Sequence, residues 1–418
     1  MTLDKKASTP LYQFRLLVFL SIATFFEGYD FIALVQVLPK LVETMAIDQA
    51  DTGIMVGVIN VGSILSFFII YLADRFGRKP LLAFTIAGYT IASFLTGLAG
   101  SPWAFAAIQL LARIFLLGEV AIAMIYAAEE FPANRRGRVI GVLQVSATLG
   151  TIFCAGLTPV MLNTELGWRG IYFVGTIPLI LAAYARRNLK ETERFLQKDT
   201  VQQSRQNFLQ LIRGPYRKRV FLVASIWAMT YMCAQSLITF WNLHAIHSLG
   251  MTYEAVSKAI MMAALISTPL LFGIGRLLEL GRRKASILVY SLLILGTLGC
   301  YNFTDVNFLT ISLIISFFAI SGVVPILNAY TVELFPTEMR ANAFAWSNSL
   351  LGRLGYVLSP LLVGWAALHV GYGVAVSVSA IFPLIGLIII LKKLPETAGI
   401  PLETTSKLRL GEEDPVSI

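Results

Sequence analysis

Glu27 and Asp30 stand three residues apart in an otherwise apolar stretch that runs from residue 14 to residue 38. Three residues is close to one helical turn, so both acids share a face. The stretch is long enough to cross a bilayer, which takes about 20 helical residues. A charge at that depth costs a few kcal/mol or more, so the face carrying it must meet water or partners inside a bundle. Three more charged residues, Arg113, Glu119 and Arg353, lie inside other apolar stretches. A carboxyl moved from water into an apolar cavity favours its protonated form, and a nearby guanidinium favours the carboxylate. The planar fork of arginine also suits a substrate carboxylate. Protons and small molecules are therefore the chemistry to expect.

The elements that must position these residues follow from hydropathy. The chain has 418 residues, 56% hydrophobic and 14% charged, where soluble domains are nearer a quarter charged. This is the composition of an all-α integral membrane protein. Twelve apolar runs can be marked, at 14–38, 53–73, 81–99, 103–128, 138–162, 168–187, 220–243, 255–276, 285–302, 307–331, 341–367 and 372–392. They predict an N-terminal six-helix half over 1–187, a basic linker over 188–219, a C-terminal six-helix half over 220–392 and a tail over 393–418. The first run is too long and too acidic for a cleaved signal.

With the N-terminus inside, the inner segments collect nearly all the lysines and arginines, and the outer ones hold only Lys40, Arg169 and Lys258. That asymmetry predicts both termini in the cytoplasm of a cell inner membrane protein. It also accounts for the net charge of +9 without nucleic acid as a partner. Cys154, Cys233 and Cys300 lie singly in apolar runs, with no metal or disulfide spacing. There is no phosphate-binding loop, no zinc-protease motif and no nucleophile elbow, so neither an enzyme nor a cofactor is expected. The expected partners are a small molecule, protons and the lipid bilayer, with the chain acting as a monomer.

The two halves repeat. Asp74-Arg75-Phe76-Gly77-Arg78-Lys79 is matched by Glu279-Leu280-Gly281-Arg282-Arg283-Lys284, and 279 − 74 = 205. Glu130-Phe131-Pro132 with Arg136 is matched by Glu333-Leu334-Phe335-Pro336 with Arg340, and 335 − 131 = 204. Two independent pairs at nearly one offset indicate a duplicated unit, and both members of each pair fall on the same side. Parallel repeats of this kind place a site between the halves near mid-membrane.

These residues resemble the major facilitator superfamily over almost the whole chain. The run from Asp74 to Lys79 is similar to its signature loop, although Ile70 stands where a glycine is usual. Arg113 to Glu119, Glu130-Phe131-Pro132, Gly167-Trp168-Arg169, Glu191 to Phe195, Gly352-Arg353-Leu354-Gly355 and Leu394-Pro395-Glu396-Thr397 look like the sugar-porter and metabolite:proton-symporter branches. Glu27-Gly28-Tyr29-Asp30 is similar to the acid-Gly-aromatic-Asp motif of aromatic-acid:proton symporters, with Glu27 in place of the usual Asp. The resemblance implies twelve transmembrane helices in two parallel six-helix repeats, with spans 1, 4, 7 and 10 lining a central cavity. It implies proton-coupled symport of a small organic acid, carboxylic or aromatic, by alternating access. A sugar, a polyol or an organic cation is the alternative cargo, and a receptor without transport the remote one.

On that layout Asp30 is the expected proton carrier and Arg113 the expected substrate partner; a fixed Asp30–Arg113 ion pair is the competing reading. Glu27 and Glu119 are further candidate proton sites, Glu119 equally a structural partner within its helix bundle. Arg353 is expected to pair with an acid or a backbone carbonyl, or else to meet substrate. Trp227, Tyr231 and Gln235, spaced on one helical face, with Asn328 and Tyr330, are candidate substrate contacts in the second half. Asp74, Arg75, Arg78, Lys79, Glu130, Arg136, Glu333 and Arg340 are expected gating residues. His244 and His247 are expected in a wet outer loop. Pro159, Pro178, Pro269, Pro325 and Pro360 are expected to bend helices.

Overall fold

A computed structural model describes residues 10–131, 133–185, 211–336, 339–398 and 400. Every regular element among them is helical. In the first half these are α1 (Pro10–Met45), α2 (Gln49–Phe76), α3 (Arg78–Gly97), α4 (Pro102–Glu130), α5 (Ala133–Leu162) and α6 (Trp168–Ala185). In the second they are α7 (Arg217–His247), α8 (Tyr253–Leu270), α9 (Phe272–Glu279), α10 (Arg282–Asn302), α11 (Val306–Glu333), α12 (Arg340–Phe344), a π-helical segment Ala345–Gly352, α13 (Leu354–Ser379) and α14 (Ile381–Lys393).

Fifteen elements make twelve passes. α8 and α9 form one span bent by 46° where Pro269 interrupts the backbone ladder. α12, the π-helical segment and α13 up to Gly371 form the eleventh span. Gly371, at φ 74°, breaks α13, and the remainder with α14 forms the twelfth. Pro159, Pro325 and Pro360 also lie inside helices; the side chain of Pro178 lies outside the described residues. The apolar runs were thus located well but read short: α1 extends from Pro10 to Met45 rather than over 14–38.

The burial pattern suits a bilayer. Phe14, Phe68, Phe84, Ile91, Leu295 and Trp365 are exposed on the outside of the bundle, while Asn60, Gln109, Asn242 and Asp30 are buried inside it. Lipid offers nothing to a polar group, so polar side chains turn inward to find partners.

The repeat is visible in the backbone. The expected loop from Asp74 to Lys79 is mostly helix, and a single residue, Gly77 at φ 97°, turns the chain from α2 into α3. Gly281 at φ 141° does the same before α10, and 281 − 77 = 204. Helix crossings repeat as well. A Cβ on Gly150 of α5 would fall 1.9 Å from the Phe25 carbonyl oxygen of α1, and one on Gly355 of α13 would fall 2.2 Å from that of Ala228 on α7. Here 355 − 150 = 205. Both crossings bring backbone against backbone, which only small residues allow.

Candidate functional site between the halves

Gly28, between the two acids of α1, is pressed on α5. A Cβ there would fall 1.8 Å from the Ala147 carbonyl oxygen, and Thr151 Oγ1 donates to the Gly28 carbonyl at 3.1 Å. Tyr29, the next residue along, anchors α1 to α6 by donating to the Ile171 carbonyl at 2.6 Å. These contacts fix the rotation of α1, so Glu27 and Asp30 point between helices rather than to lipid.

They point into a cavity of about 310 Å³ shared by both halves, at the lower end of the ~300–1,000 Å³ usual for small-molecule sites. The first half contributes Glu27, Asp30, Arg113, Gln144, Thr148 and Thr151 to its wall; the second contributes Ile238, Ser267, Thr268, Phe317, Ile320 and Ser321. Charge therefore lies on one side, and apolar groups with small hydroxyls on the other. Arg113 is 11 residues into α4, roughly 16 Å along its axis, which is mid-bundle depth.

Asp30 is 3% exposed. Tyr89 of α3 donates to its Oδ1 at 3.0 Å, while Oδ2 has no hydrogen-bond partner. Arg113 is 7% exposed and donates from one terminal nitrogen to Asn60 Oδ1 at 3.1 Å, while its Nε has no partner. Among the described residues no ion pair joins Asp30 to Arg113. Glu119, 1% exposed, lies outside the wall with Oε2 unpartnered, and Glu27 is within electrostatic reach of both Glu119 and Arg353.

The other candidates are placed differently from the expectation. Trp227 is fully buried and donates to Thr331 Oγ1 at 3.1 Å. Tyr231 donates to Asn348 Oδ1 at 2.9 Å and packs on Tyr356, ring centroids 4.4 Å apart. Gln235 donates to Thr239 Oγ1 at 3.0 Å. Their common face is turned into the second half, and the cavity wall includes none of them, nor Asn328, Tyr330 or Arg353. Of α7 only Ile238 reaches the cavity, while α5 and α8 line it alongside α1, α4 and α11. Arg353 donates to the Ser63 carbonyl and to Ser66 Oγ of α2, bridging the halves.

The expected gating residues separate into described and undescribed. The side chains of Asp74, Arg75, Arg78 and Arg136 lie outside the described residues; Lys79 is exposed and Glu130 half-buried. Glu333 accepts from Arg282 at 2.7 Å and from Thr397 Oγ1, and Arg340 donates to the Val332 and Phe335 carbonyls at 2.9 and 3.1 Å. Both join networks within their own half. The outer-loop expectation for His244 is overturned: α7 continues to His247, so His244 is buried, with its ring against Tyr301 at 5.1 Å. His247 lies at the helix end, 3.4 Å from Glu43.

The halves meet most closely at the end of the bundle carrying the α1–α2 and α7–α8 turns. Gln36 links α1 to both Asn242 and Ser257, at 2.7 and 3.3 Å, and Gly53 of α2 packs directly on Gly364 of α13. The described hydrogen bonds between halves continue to mid-bundle, where Thr148 meets Thr268 at 3.1 Å on the cavity wall and Arg353 reaches Ser63 and Ser66 of α2.

Comparison with known proteins agrees with this architecture. A family model described as the Major Facilitator Superfamily matches residues 20–352 and, overlapping, 274–410. The putative niacin/nicotinamide transporter NiaP of Bacillus subtilis is 26% identical over 339 residues, covering 79% of this chain and 83% of that protein. The gallate transporter of Pseudomonas putida is 23% identical over 422 residues, covering 90% and 89%. The inward open conformation of the xylose transporter XylE from E. coli aligns with a TM-score of 0.76 at 17% identity, covering 95% of this chain and 99% of that one.

Proposed function

Because the chain belongs to the major facilitator superfamily, and is thus a multi-pass membrane transporter of a small molecule rather than an enzyme, we propose that it carries a small single-ring carboxylic acid inward together with a proton. One observation carries this reading. In a cavity shared by both halves, Asp30 and Arg113 stand without an ion pair between them, each with a buried polar atom unpartnered. An unpartnered buried group costs about 1–3 kcal/mol, which a ligand carboxylate at Arg113 and a proton on Asp30 would recover. Phe317, Ile320 and Ile238 offer an apolar wall for a ring. The niacin and gallate transporters among the similar proteins have cargo of this kind by name.

The steps follow from the residues. With Asp30 and Glu27 both protonated, Arg113 is the charge left in the cavity wall and favours an anionic substrate. Rocking of the halves transfers the cavity from one side to the other, and a wetter surrounding favours release of the proton. Glu27 and Glu119 extend the proton path along α1 and α4. Lys79, Glu130, Glu333 and Arg340, with Asp74, Arg75, Arg78 and Arg136, hold helix ends as the halves rock. Trp227, Tyr231, Gln235, Asn328, Tyr330 and Arg353 serve as the frame behind the cavity rather than as its wall. Both termini lie in the cytoplasm, and the linker expected over 188–219 divides the halves, its last three residues already forming the start of α7 (Arg217–His247).

The test is uptake into proteoliposomes under an inward proton gradient, with nicotinate, benzoate, xylose and a quaternary amine as probes. Accumulation of a carboxylate, with collapse of the gradient, is expected. Transport of xylose or the amine alone would reject the acid as cargo.

A further inference from the structure

Asn60 sits 11 residues into α2, fully buried, and has contacts on two sides. Its Oδ1 accepts from Arg113 in the cavity wall at 3.1 Å. Its Nδ2 donates to the backbone carbonyl of Tyr356, on α13 of the opposite half, at 2.9 Å. One amide therefore joins the charged group of the cavity to the other half of the molecule. The register is set by Gly62, where a Cβ would fall 2.5 Å from the Leu110 carbonyl oxygen and 3.2 Å from Arg113 Cβ. That crossing holds α2 against α4 and leaves Asn60 no freedom to move away from Arg113. The same face of α2 continues the bonding: Ser63 Oγ donates to the Asn60 carbonyl at 2.7 Å, and Ser66 Oγ to the Ser63 carbonyl at 2.8 Å. Arg353 of the second half donates to the last two of these groups.

We propose that Asn60 is a positioning residue that couples engagement of Arg113 to closure of the α2–α13 contact. Neither arm acts through substrate directly. The Tyr356 arm exists only while α2 and α13 touch, so it stabilises the conformer in which the 46–48 end is closed. The Arg113 arm holds the guanidinium beside α2 and away from Asp30. A carboxylate that draws Arg113 toward the cavity weakens that arm and thereby biases the gate; by reciprocity, gate opening changes affinity for the carboxylate. A hydrogen bond made in one state and absent in the other is what such coupling requires. The inference rests on Arg113 as the partner of the substrate carboxylate.

The experiment uses the full chain in nanodiscs, with spin labels at Thr164→Cys and Thr304→Cys. Both are exposed at the closed end on opposite halves, and Cys154, Cys233 and Cys300 are buried. Distances are measured without ligand and with nicotinate. Asn60→Leu removes both arms with a side chain of the same branching; Asn60→Asp, of nearly the same volume as Asn, keeps an acceptor for Arg113 but removes the donor to Tyr356. Without ligand, each variant should raise the population of long closed-end distances at least threefold over the parent. Asn60→Leu should also lose at least two thirds of the nicotinate-induced redistribution. Parent-like ligand-free distributions in both monodisperse variants would overturn the coupling; if Asn60→Leu does not fold, Asn60→Asp decides alone. A parent that does not respond to nicotinate refutes the substrate reading but leaves the ligand-free comparison, which tests the gate arm by itself.

Discussion

Asp30 and Arg113 face one cavity without neutralising each other. A fixed pair would only hold α1 against α4, whereas separate partners leave each group able to change its state. Tyr89 holds one oxygen of Asp30 and Asn60 holds one end of Arg113, so the side chains are oriented but their remaining valences are not used. Replacing Asp30 by Asn keeps the acceptor for Tyr89 and removes the titratable carboxyl proposed as the proton site. Proton-driven accumulation of nicotinate should fall at least tenfold while exchange of labelled for unlabelled nicotinate continues. Accumulation at the parent level would remove Asp30 from the proton path. Neither Tyr89 nor Asn60 was singled out in the sequence. Asn60 had a signal, an amide inside the apolar run 53–73; Tyr89 had none, because a tyrosine in a membrane helix reads equally as packing or as an interfacial aromatic.

At the scale of the element, helix ends are organised by side chains distant in sequence. Glu396, beyond α14, accepts from the backbone N–H groups of Arg282 and Arg283 at 2.8 and 2.9 Å, capping α10, and from those of Thr397 and Ala398. Burial pushes its carboxyl up, but these four donors outweigh it and hold the group below the ordinary glutamate value of 4.5. An acid at a helix N-terminus gains from the dipole as well. A group held low in the folded state contributes stability above its unfolded value, and that contribution is lost as pH falls through the lower, folded value. Glu396→Gln should therefore lower thermal stability at pH 7, by about 1 kcal/mol as for other cap losses. The difference from the parent should shrink below pH 4.5. A difference independent of pH would mean that packing, not charge, is what Glu396 supplies. Thr397 and Arg282 extend this cap to Glu333 of α11, which gives the short motif after the last span a role in tying three helix ends together.

At the scale of the molecule, the halves are joined through small residues and buried amides at one end, and that end carries the turns expected outside. Polar contacts of this kind exchange readily for water, which suits a joint that opens as proposed. The orientation is testable: Thr164→Cys should react with an impermeant maleimide on intact cells, and Glu279→Cys only after the membrane is opened. Reversed labelling would invert the assignment of closed and open ends, and with it the direction of uptake.

What the sequence by itself determined is the repeated, local information. Twelve passes follow from apolar runs because a bilayer core accepts only backbone whose polar groups are satisfied internally, and continuous apolar runs of this length achieve that as helices; the duplication follows from motifs recurring at one offset. The acids at Glu27 and Asp30 and the base at Arg113 were legible because charge in an apolar run is costly and therefore placed for a reason. Only the tertiary structure decided which faces meet. Trp227, Tyr231 and Gln235 share a helical face in the sequence, but periodicity does not say which neighbour that face meets; in the fold it is α11 and α13, not the cavity. Likewise Glu27 and Asp30 line the cavity only because Gly28 and Gly150 let α1 and α5 approach backbone to backbone, a rotation fixed by contacts more than a hundred residues apart in the chain.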